Sequence, residues 1–206
     1  MRVTGRLPVP AELGRARLAR WSVSADEARA AEGLQRIWSP GAEGHPLPAG
    51  DHTVLLVDGE LAMTDAPFCL RNYVPFLEAA EGDVLMTGLG LGCLVHGLLG
   101  KPEVRSITVL ELHAEVLELV GPSCRGPRVE LVHADALAWR PPPDRRWDAA
   151  MLDVADDRAL VERLLARYEP VVDALWPHPD EVPDGPPPPD LERLAARARG
   201  LPPSAQ

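Results

Sequence analysis

The chain has 206 residues, enough for one α/β domain with an appendage but short for two full domains. Hydrophobic residues make up 46% and charged residues 25%, the composition of a globular protein that can bury a sizeable core. Acidic residues outnumber basic ones by 31 to 21, and the formal net charge of -10 disfavours nucleic acids and anionic membranes as partners.

The cysteines and the N-terminus bear on the cellular compartment. The three cysteines form no CxxC pair, and the first residues, MRVTGRLPVPAELGRAR, lack the apolar core of a signal peptide. No run of about 18 apolar residues, which a membrane-spanning helix requires, occurs in the sequence. We therefore expect a soluble protein of the reducing cytoplasm, with no membrane partner.

The first 80 residues predict a short strand, a helix and a hairpin. Residues 17–24 read as a strand, and Ser24 with Glu27 has the spacing of a capping box ahead of a helix reaching about Trp38. A loop rich in proline and glycine follows. Asp58-Gly59 then separates two short apolar runs, which predicts a β-hairpin over 53–65. A helix is expected over 67–80.

Residues 83–154 alternate between strand and helix patterns. The predicted helices cover 93–100 and 114–120, the second one closed by Gly121-Pro122. The predicted strands are DVLMT from residue 83, SITVLEL at 106–112, RVELVHAD at 128–135 and WDAAMLDV at 147–154. This alternation predicts an α/β fold with a Rossmann-like, doubly wound, mostly parallel sheet behind an N-terminal segment that carries the hairpin.

Composition divides the chain into three parts. Residues 1–65 form the helix and hairpin segment, 66–177 the Rossmann-like domain, and 178–206 an acidic, proline-rich tail with a possible short helix. A fifth strand is expected within 169–176, after which the prolines begin. The sheet is thus predicted to be shortened at its C-terminal edge, and we expect that edge to be open, covered by the N-terminal segment or completed in a homodimer.

Four features fall where ligands bind in an open parallel sheet, at the carboxyl ends of the strands. They are the glycines of Gly88-Leu-Gly90-Leu-Gly92, then Glu111, then Asp135, and finally Asp153. Each has a simpler interpretation as a turn, a solvated strand end or a helix cap. Four such features at four successive strand ends nevertheless favour a nucleoside ligand, with a carboxylate for the ribose hydroxyls and another for the adenine amine.

The spacing of the glycines distinguishes between nucleoside cofactors. A dinucleotide fingerprint, G-x-G-x-x-G, fails because Cys93 or Val95 takes its last position, and no phosphate-binding loop ending in Gly-Lys-Ser/Thr is present. NAD and ATP therefore rank below a nucleoside without phosphates, such as S-adenosylmethionine.

Residues 53–154 resemble the class I S-adenosylmethionine-dependent methyltransferase superfamily, in particular its spermidine-synthase-like branch. The resemblance rests on LLVDGELAMTD, VLMTGLGLG, ITVLELHAEVLELV, RVELVHADAL and WDAAMLDV, in that order. It implies methyl transfer from S-adenosylmethionine, giving S-adenosylhomocysteine, to a small-molecule or peptidic acceptor.

The resemblance also implies roles for individual residues. Those expected to contact the cofactor are Gly88, Leu89, Gly90, Gly92, Glu111, Leu112, Asp135, Ala136 and Asp153. The glycine loop would wrap the methionine part, Glu111 would hold the ribose, and Asp135 with Ala136 would hold the adenine. Asp153 would face the reacting centre and orient or deprotonate the acceptor, and His133 is a second candidate base.

Departures from the family pattern bear on two alternative functions: the position of Met86 motivates a silent fold, and the losses at Leu91 and after MTD make aminopropyl transfer the weaker interpretation. Met86 stands where many methyltransferases have an acid, and Leu91 stands where aminopropyltransferases have one. The stretch after MTD also lacks the acids and tyrosine that bring a polyamine into place. The alternatives are aminopropyl transfer to an amine, and a catalytically silent methyltransferase fold that binds a partner protein.

Four other side chains are candidates for metal binding or for a substrate pocket. Cys93 and His96 have helical spacing but no evident third ligand, so we expect no metal. Tyr73 and Trp139 either shape a substrate pocket or pack against the sheet.

Overall fold

The computed structural model describes residues 6–29, 48–153 and 158–176. Two sheets make up this part of the protein, one antiparallel with four strands and one parallel with five. The predicted continuation of the first helix to Trp38, most of the loop after it and the tail over 178–206 lie outside the described residues.

The antiparallel sheet, called here the hairpin sheet, has its strands in chain order. The strands are β1 (Ala11–Leu13), β2 (Ala16–Val23), β3 (Gly50–Val57) and β4 (Glu60–Thr64). The predicted turn at Asp58-Gly59 is confirmed, with φ angles of 53° and 79° at its two residues. Arg15 donates two hydrogen bonds to the Asp58 carboxylate and so ties the β1–β2 turn to this one.

The predicted capping box begins the first helix, α1, which is described over residues 25–29. The N–H of Glu27 donates to Ser24 Oγ at 3.2 Å, and the N–H of Ser24 donates to Glu27 Oε2 at 2.9 Å. Two backbone donors at the start of the helix are thereby satisfied by side chains, as the sequence predicts.

The parallel sheet has the strand order β7-β6-β5-β8-β9. Its strands are β5 (Gly82–Thr87), β6 (Val104–Glu111), β7 (Val129–His133), β8 (Trp147–Leu152) and β9 (Val172–Trp176). The chain runs outward from β5 to β7, crosses back to β8 and then runs outward the other way. The expected doubly wound α/β fold and its fifth strand are therefore confirmed, and the switch point lies between β5 and β8.

Helices cover both faces of this sheet. They are α2 (Pro67–Leu70), α3 (Val74–Ala79), α4 (Cys93–Leu99), α5 (Ala114–Cys124) and α6 (Arg158–Tyr168). Val84 and Met86 of β5 pack into the core that includes side chains of α4, α5 and the hairpin sheet. Leu85 faces the other way, into the core formed with α6.

The helix predicted over 67–80 is divided by a 3-10 turn at Arg71–Tyr73. Pro75 stands in the first turn of α3 and has no N–H to continue an α-helical ladder. The N–H of Val74 bonds the carbonyl of Arg71 instead, in the tighter pattern of a 3-10 turn.

Helix α5 extends past Gly121 to Cys124, so the predicted end at Gly121-Pro122 is wrong. Pro122 lacks an N–H and its ring crowds the carbonyl four residues earlier, which is that of the solvent-exposed Glu118 near the end of the helix. Ser123 Oγ donates to the Val120 carbonyl at 2.8 Å and so satisfies an acceptor in the last turn. The extension places Cys124 in the core rather than in a surface loop.

The hairpin sheet packs against α5 and the glycine-containing loop after β5, and it pairs with neither edge of the parallel sheet. In the described residues β7 and β9 therefore remain edge strands. Covering of an edge by strand pairing with the N-terminal segment is excluded for these residues, and completion by a second subunit stays a prediction. No described helix is long and apolar enough to cross a membrane.

Alanine substitutions at two glycines test how tightly the glycine-containing loop after β5 is packed. Gly92 and Gly59 have φ angles of +74° and +79°, so alanine at either site incurs a similar backbone cost of about 1–2 kcal/mol. A Cβ on Gly59 meets nothing within 4 Å, whereas one on Gly92 overlaps the sulfur of buried Cys124. We expect Gly92→Ala to lower the free energy of unfolding by about 1–3 kcal/mol more than Gly59→Ala, measured by denaturant titration. Equal losses would contradict the packing described.

Candidate functional site

The candidate site is built around the loop 88–92 at the carboxyl end of β5. Gly88, Gly90 and Gly92 have φ angles of 85°, 52° and 74°, in the left-handed region that favours glycine. The loop turns sharply into α4, whose N-terminus Gly92 caps. The sequence pattern of strand, glycines and helix thus predicts the local structure correctly.

Each glycine approaches a different element of the fold. A Cβ on Gly88 would lie 3.1 Å from the carbonyl oxygen of Asp153, at the end of β8. A Cβ on Gly90 would overlap Sδ of Met63 on β4, and a Cβ on Gly92 would overlap Sγ of Cys124 on α5. The loop is therefore the junction of β8, the hairpin sheet and α5.

Most amides of the loop are already engaged by the protein. The N–H of Gly88 donates to the Leu110 carbonyl at 2.7 Å, and that of Gly92 to the Leu89 carbonyl at 2.8 Å. The N–H of Leu91 donates to Met63 Sδ at 3.1 Å, a weak acceptor. Among the described residues no acceptor is seen for the N–H of Gly90, which makes it the loop donor left for a ligand.

Glu111, the last residue of β6, is a buried carboxylate with 5% of its surface exposed. Its Oε2 accepts the N–H of Leu89 at 2.8 Å, and its Oε1 accepts the N–H of His113 at 2.8 Å. These charge-assisted bonds compensate for the loss of solvent around the charge. A carboxylate has about four acceptor positions, so lone pairs remain for two hydroxyl groups of a ligand.

Beside this carboxylate the site presents an apolar surface. Leu112 is 56% exposed, unusual for a large hydrophobic side chain next to a buried charge. Ala136 lies in the turn after β7 and is partly buried. A buried carboxylate flanked by exposed apolar surface suits a ribose and its attached base.

Two polar candidates lie at the end of β7 and just after it, and the side chain of each already contacts the protein backbone. Asp135 is exposed, and its Oδ1 accepts the N–H of Leu137 at 2.8 Å, so the carboxylate stabilises its own turn. His133 is also exposed, and its Nε2 lies 3.1 Å from the Leu112 carbonyl. No contact between His133 and Asp153 is seen in the described residues, and each stays a separate candidate base.

Asp153 follows β8 at the switch point, where it accepts a hydrogen bond from Tyr73. The Tyr73 hydroxyl donates to Asp153 Oδ2 at 2.5 Å. Asp153 keeps exposed surface, but the protein atoms around its carboxyl group raise its pKa above the usual aspartate range. The hydrogen bond from Tyr73 acts in the opposite direction, and the charge of Glu111 raises the pKa further.

The raised pKa of Asp153 lies closer to neutral pH than that of an ordinary aspartate, which suits a general base. For the cysteines, by contrast, a raised pKa argues against a role as nucleophile, because the reactive form of a thiol is the thiolate. Burial raises the pKa of the Cys69 thiol to about 11 and that of Cys93 to about 12. Burial also raises the pKa of Cys124. These thiols stay protonated and act as small apolar side chains.

Metal binding gains no support from the described part of the chain. No cluster of three or more side chains with the right donors occurs there. His96 Nδ1 lies 3.1 Å from a guanidinium nitrogen of Arg6, and burial lowers the pKa of this histidine. Its other ring nitrogen lies 3.5 Å from Ser123 Oγ.

Sequence reasoning missed several contacts of the site. Met63 and Cys124 were not expected to touch the glycine loop, because a pattern of residues does not show which distant side chains meet. Tyr73 was a possible pocket residue, but its partner Asp153 is 80 positions away. Trp139 packs against Trp147, with ring centroids 5.8 Å apart, as its alternative interpretation predicted.

No family model and no curated protein matches the sequence. Solved structures match about half of the chain. A DhpI–SAM–HEP complex is 26% identical, covers 50% of this chain and 48% of its own, and gives a TM-score of 0.39. Coclaurine N-methyltransferase bound to N-methylheliamine and SAH is 21% identical, with coverages of 52% and 33% and a TM-score of 0.43.

A spermidine synthase from Thermotoga maritima is 18% identical, with 56% of this chain and 45% of that chain covered and a TM-score of 0.42. The matching structures are mostly S-adenosylmethionine-dependent methyltransferases, with this spermidine synthase among them. The chain spans less than two thirds of the length of each of the three matched proteins described.

Removing the Glu111 carboxylate should loosen the loop. Glu111→Ala leaves the amides of Leu89 and His113 without their acceptor, so we expect a loss of about 1.5–3 kcal/mol in the free energy of unfolding. Glu118→Ala, on the exposed face of α5, is the control and should change it by less than about 0.5 kcal/mol. Similar losses for the two variants in urea titrations would show that Glu111 does not hold the loop.

Proposed function

We propose that the protein is an S-adenosylmethionine-dependent methyltransferase acting on a small-molecule or peptidic acceptor. The observation that carries this proposal is the position of Glu111. It is a buried carboxylate at the end of β6 that binds the glycine loop and lies beside the exposed Leu112. A nucleoside without phosphates fits this site better than a nucleotide, because the protein is acidic and its sequence has no phosphate-binding loop.

The residues of the chain divide the work of binding. Lone pairs of Glu111 would accept the ribose hydroxyls, and Leu112 with Ala136 would contact the adenine. Leu89 and the glycines Gly88, Gly90 and Gly92 shape the backbone that the methionine part would follow. S-Adenosylmethionine supplies a methyl group bound to a positively charged sulfonium sulfur.

The chain contributes to the reaction mainly by alignment. Holding two reactants in near-attack geometry is worth roughly 7–11 kcal/mol of the barrier in well-oriented systems. Asp153, at the switch point and hydrogen-bonded to Tyr73, would orient the acceptor and take up its proton where a base is needed. The net charge of -10 favours an acceptor that is not a nucleic acid.

Calorimetric titration with S-adenosylmethionine tests the proposal directly. We expect micromolar binding by the wild type, about -8 kcal/mol, and at least about tenfold weaker binding by Glu111→Gln. Glu118→Gln is the matched control and should bind like the wild type. A wild-type protein that is folded by circular dichroism and shows no binding at millimolar ligand would rule out the methyltransferase.

The same titration separates the alternatives. An aminopropyltransferase should bind decarboxylated S-adenosylmethionine more tightly than the parent compound, whereas the proposed methyltransferase should show the reverse preference. A silent fold that binds a protein partner should bind neither compound, or should bind them with an affinity that survives Glu111→Gln.

A further inference from the structure

The Tyr73–Asp153 pair joins two parts of the chain that the sequence does not connect. Tyr73 ends the 3-10 turn between α2 and α3, and with 8% of its surface exposed its ring is held in the main core. Its hydroxyl reaches Oδ2 of Asp153 at 2.5 Å. A tyrosine whose ring is fixed by packing can hold a carboxylate in one orientation.

Tyr73 is a hydrogen-bond donor at neutral pH. Burial raises the pKa of its hydroxyl well above the ordinary value, and the nearby charge of Asp153 raises it further. Oδ2 of Asp153 is therefore engaged by this hydroxyl at neutral pH. Among residues 6–29, 48–153 and 158–176 no donor to Oδ1 is seen, and Asp153 keeps exposed surface, so this oxygen is open to a ligand.

The surroundings of Asp153 favour a positive charge. The charge of Glu111, on β6, acts on the carboxyl group of Asp153. Tyr73 and Cys69 are near Asp153 as well, in the segment that links the two sheets. None of these three groups is cationic, and the nearest described cation in this segment is Arg71, which acts on Cys69. The carbonyl of Asp153 lies against Gly88, so the carboxylate sits at the loop and the switch point of the sheet.

We propose that Tyr73 is a positioning residue that holds Asp153 with Oδ1 turned into the crevice, where the carboxylate recognises the cationic sulfonium of the cofactor. This inference rests on the proposed function, because it takes S-adenosylmethionine as the ligand. It adds a residue that acts through Asp153 and makes no contact with the ligand itself.

Tyr73→Phe removes the hydroxyl and keeps the ring. The matched control is Tyr168→Phe, because this second tyrosine is also buried and donates to the Ala136 carbonyl at 2.7 Å. Both variants lose one buried hydrogen bond, so both should lose a similar amount of stability. A change in the properties of Asp153 that occurs in Tyr73→Phe and not in Tyr168→Phe is therefore due to the loss of the Tyr73 hydroxyl.

The first measurement needs no ligand. Carbon NMR of the aspartate carboxyl groups gives the titration of Asp153, whose signal is identified by its absence in Asp153→Asn. Because the Tyr73 hydrogen bond lowers the pKa of Asp153, Tyr73→Phe should raise its midpoint by about half a pH unit or more, while Tyr168→Phe should leave it in place. An unchanged or lowered midpoint in Tyr73→Phe would overturn the inference.

The second measurement compares two ligands that differ in charge at sulfur. S-Adenosylmethionine carries the sulfonium and S-adenosylhomocysteine a neutral thioether, so the ratio of their Kd values measures recognition of the positive charge. The wild type should prefer the sulfonium above the pKa of Asp153 and lose this preference as the pH falls through it. Tyr73→Phe should reduce the preference about threefold or more at neutral pH, and Asp153→Asn should abolish it.

The outcomes separate the two proposals. Binding of both ligands with an unchanged ratio in Tyr73→Phe overturns the role of Tyr73 and leaves the methyltransferase standing. No binding of either ligand to the wild type overturns the methyltransferase and this inference together.

Discussion

The close approach of three elements to one loop is the constraint on which this structure depends. Gly88, Gly90 and Gly92 lack side chains where Asp153, Met63 and Cys124 come nearest. A Cβ on Gly88 would crowd the backbone of Asp153, and a Cβ on Gly90 or Gly92 would require the sulfur of Met63 or Cys124 to move. The glycines thus serve packing first, and the same absence of side chains gives a ligand access to the backbone.

Glu111 links the stability of the loop to ligand binding. The carboxylate is buried because two backbone amides solvate it, and it fixes the path of the loop in return. A ligand whose hydroxyls share this carboxylate would bind to a surface that is already organised, so little ordering is needed on binding. Asp153 shows the complementary arrangement, with one oxygen held by Tyr73 and the other left to the crevice.

Local features could be predicted from the sequence because they depend on residues close together in the chain. The capping box at Ser24 and Glu27, the hairpin turn at Asp58-Gly59 and the strands of the parallel sheet follow from short-range chemistry and hydrophobic pattern. The predicted end of α5 was wrong, because a proline near the last turn of a helix is tolerated where the carbonyl that loses its hydrogen-bond partner faces solvent.

The sequence by itself determined the doubly wound fold and placed Glu111 and Asp153 at carboxyl ends of strands, since alternation of strands and helices fixes that edge. Only the tertiary structure decided that Met63 caps the glycine loop, that Glu111 binds its amides and that Tyr73 holds Asp153. These contacts join residues 22 to 80 positions apart. Such pairs depend on how whole elements pack, which no local pattern encodes.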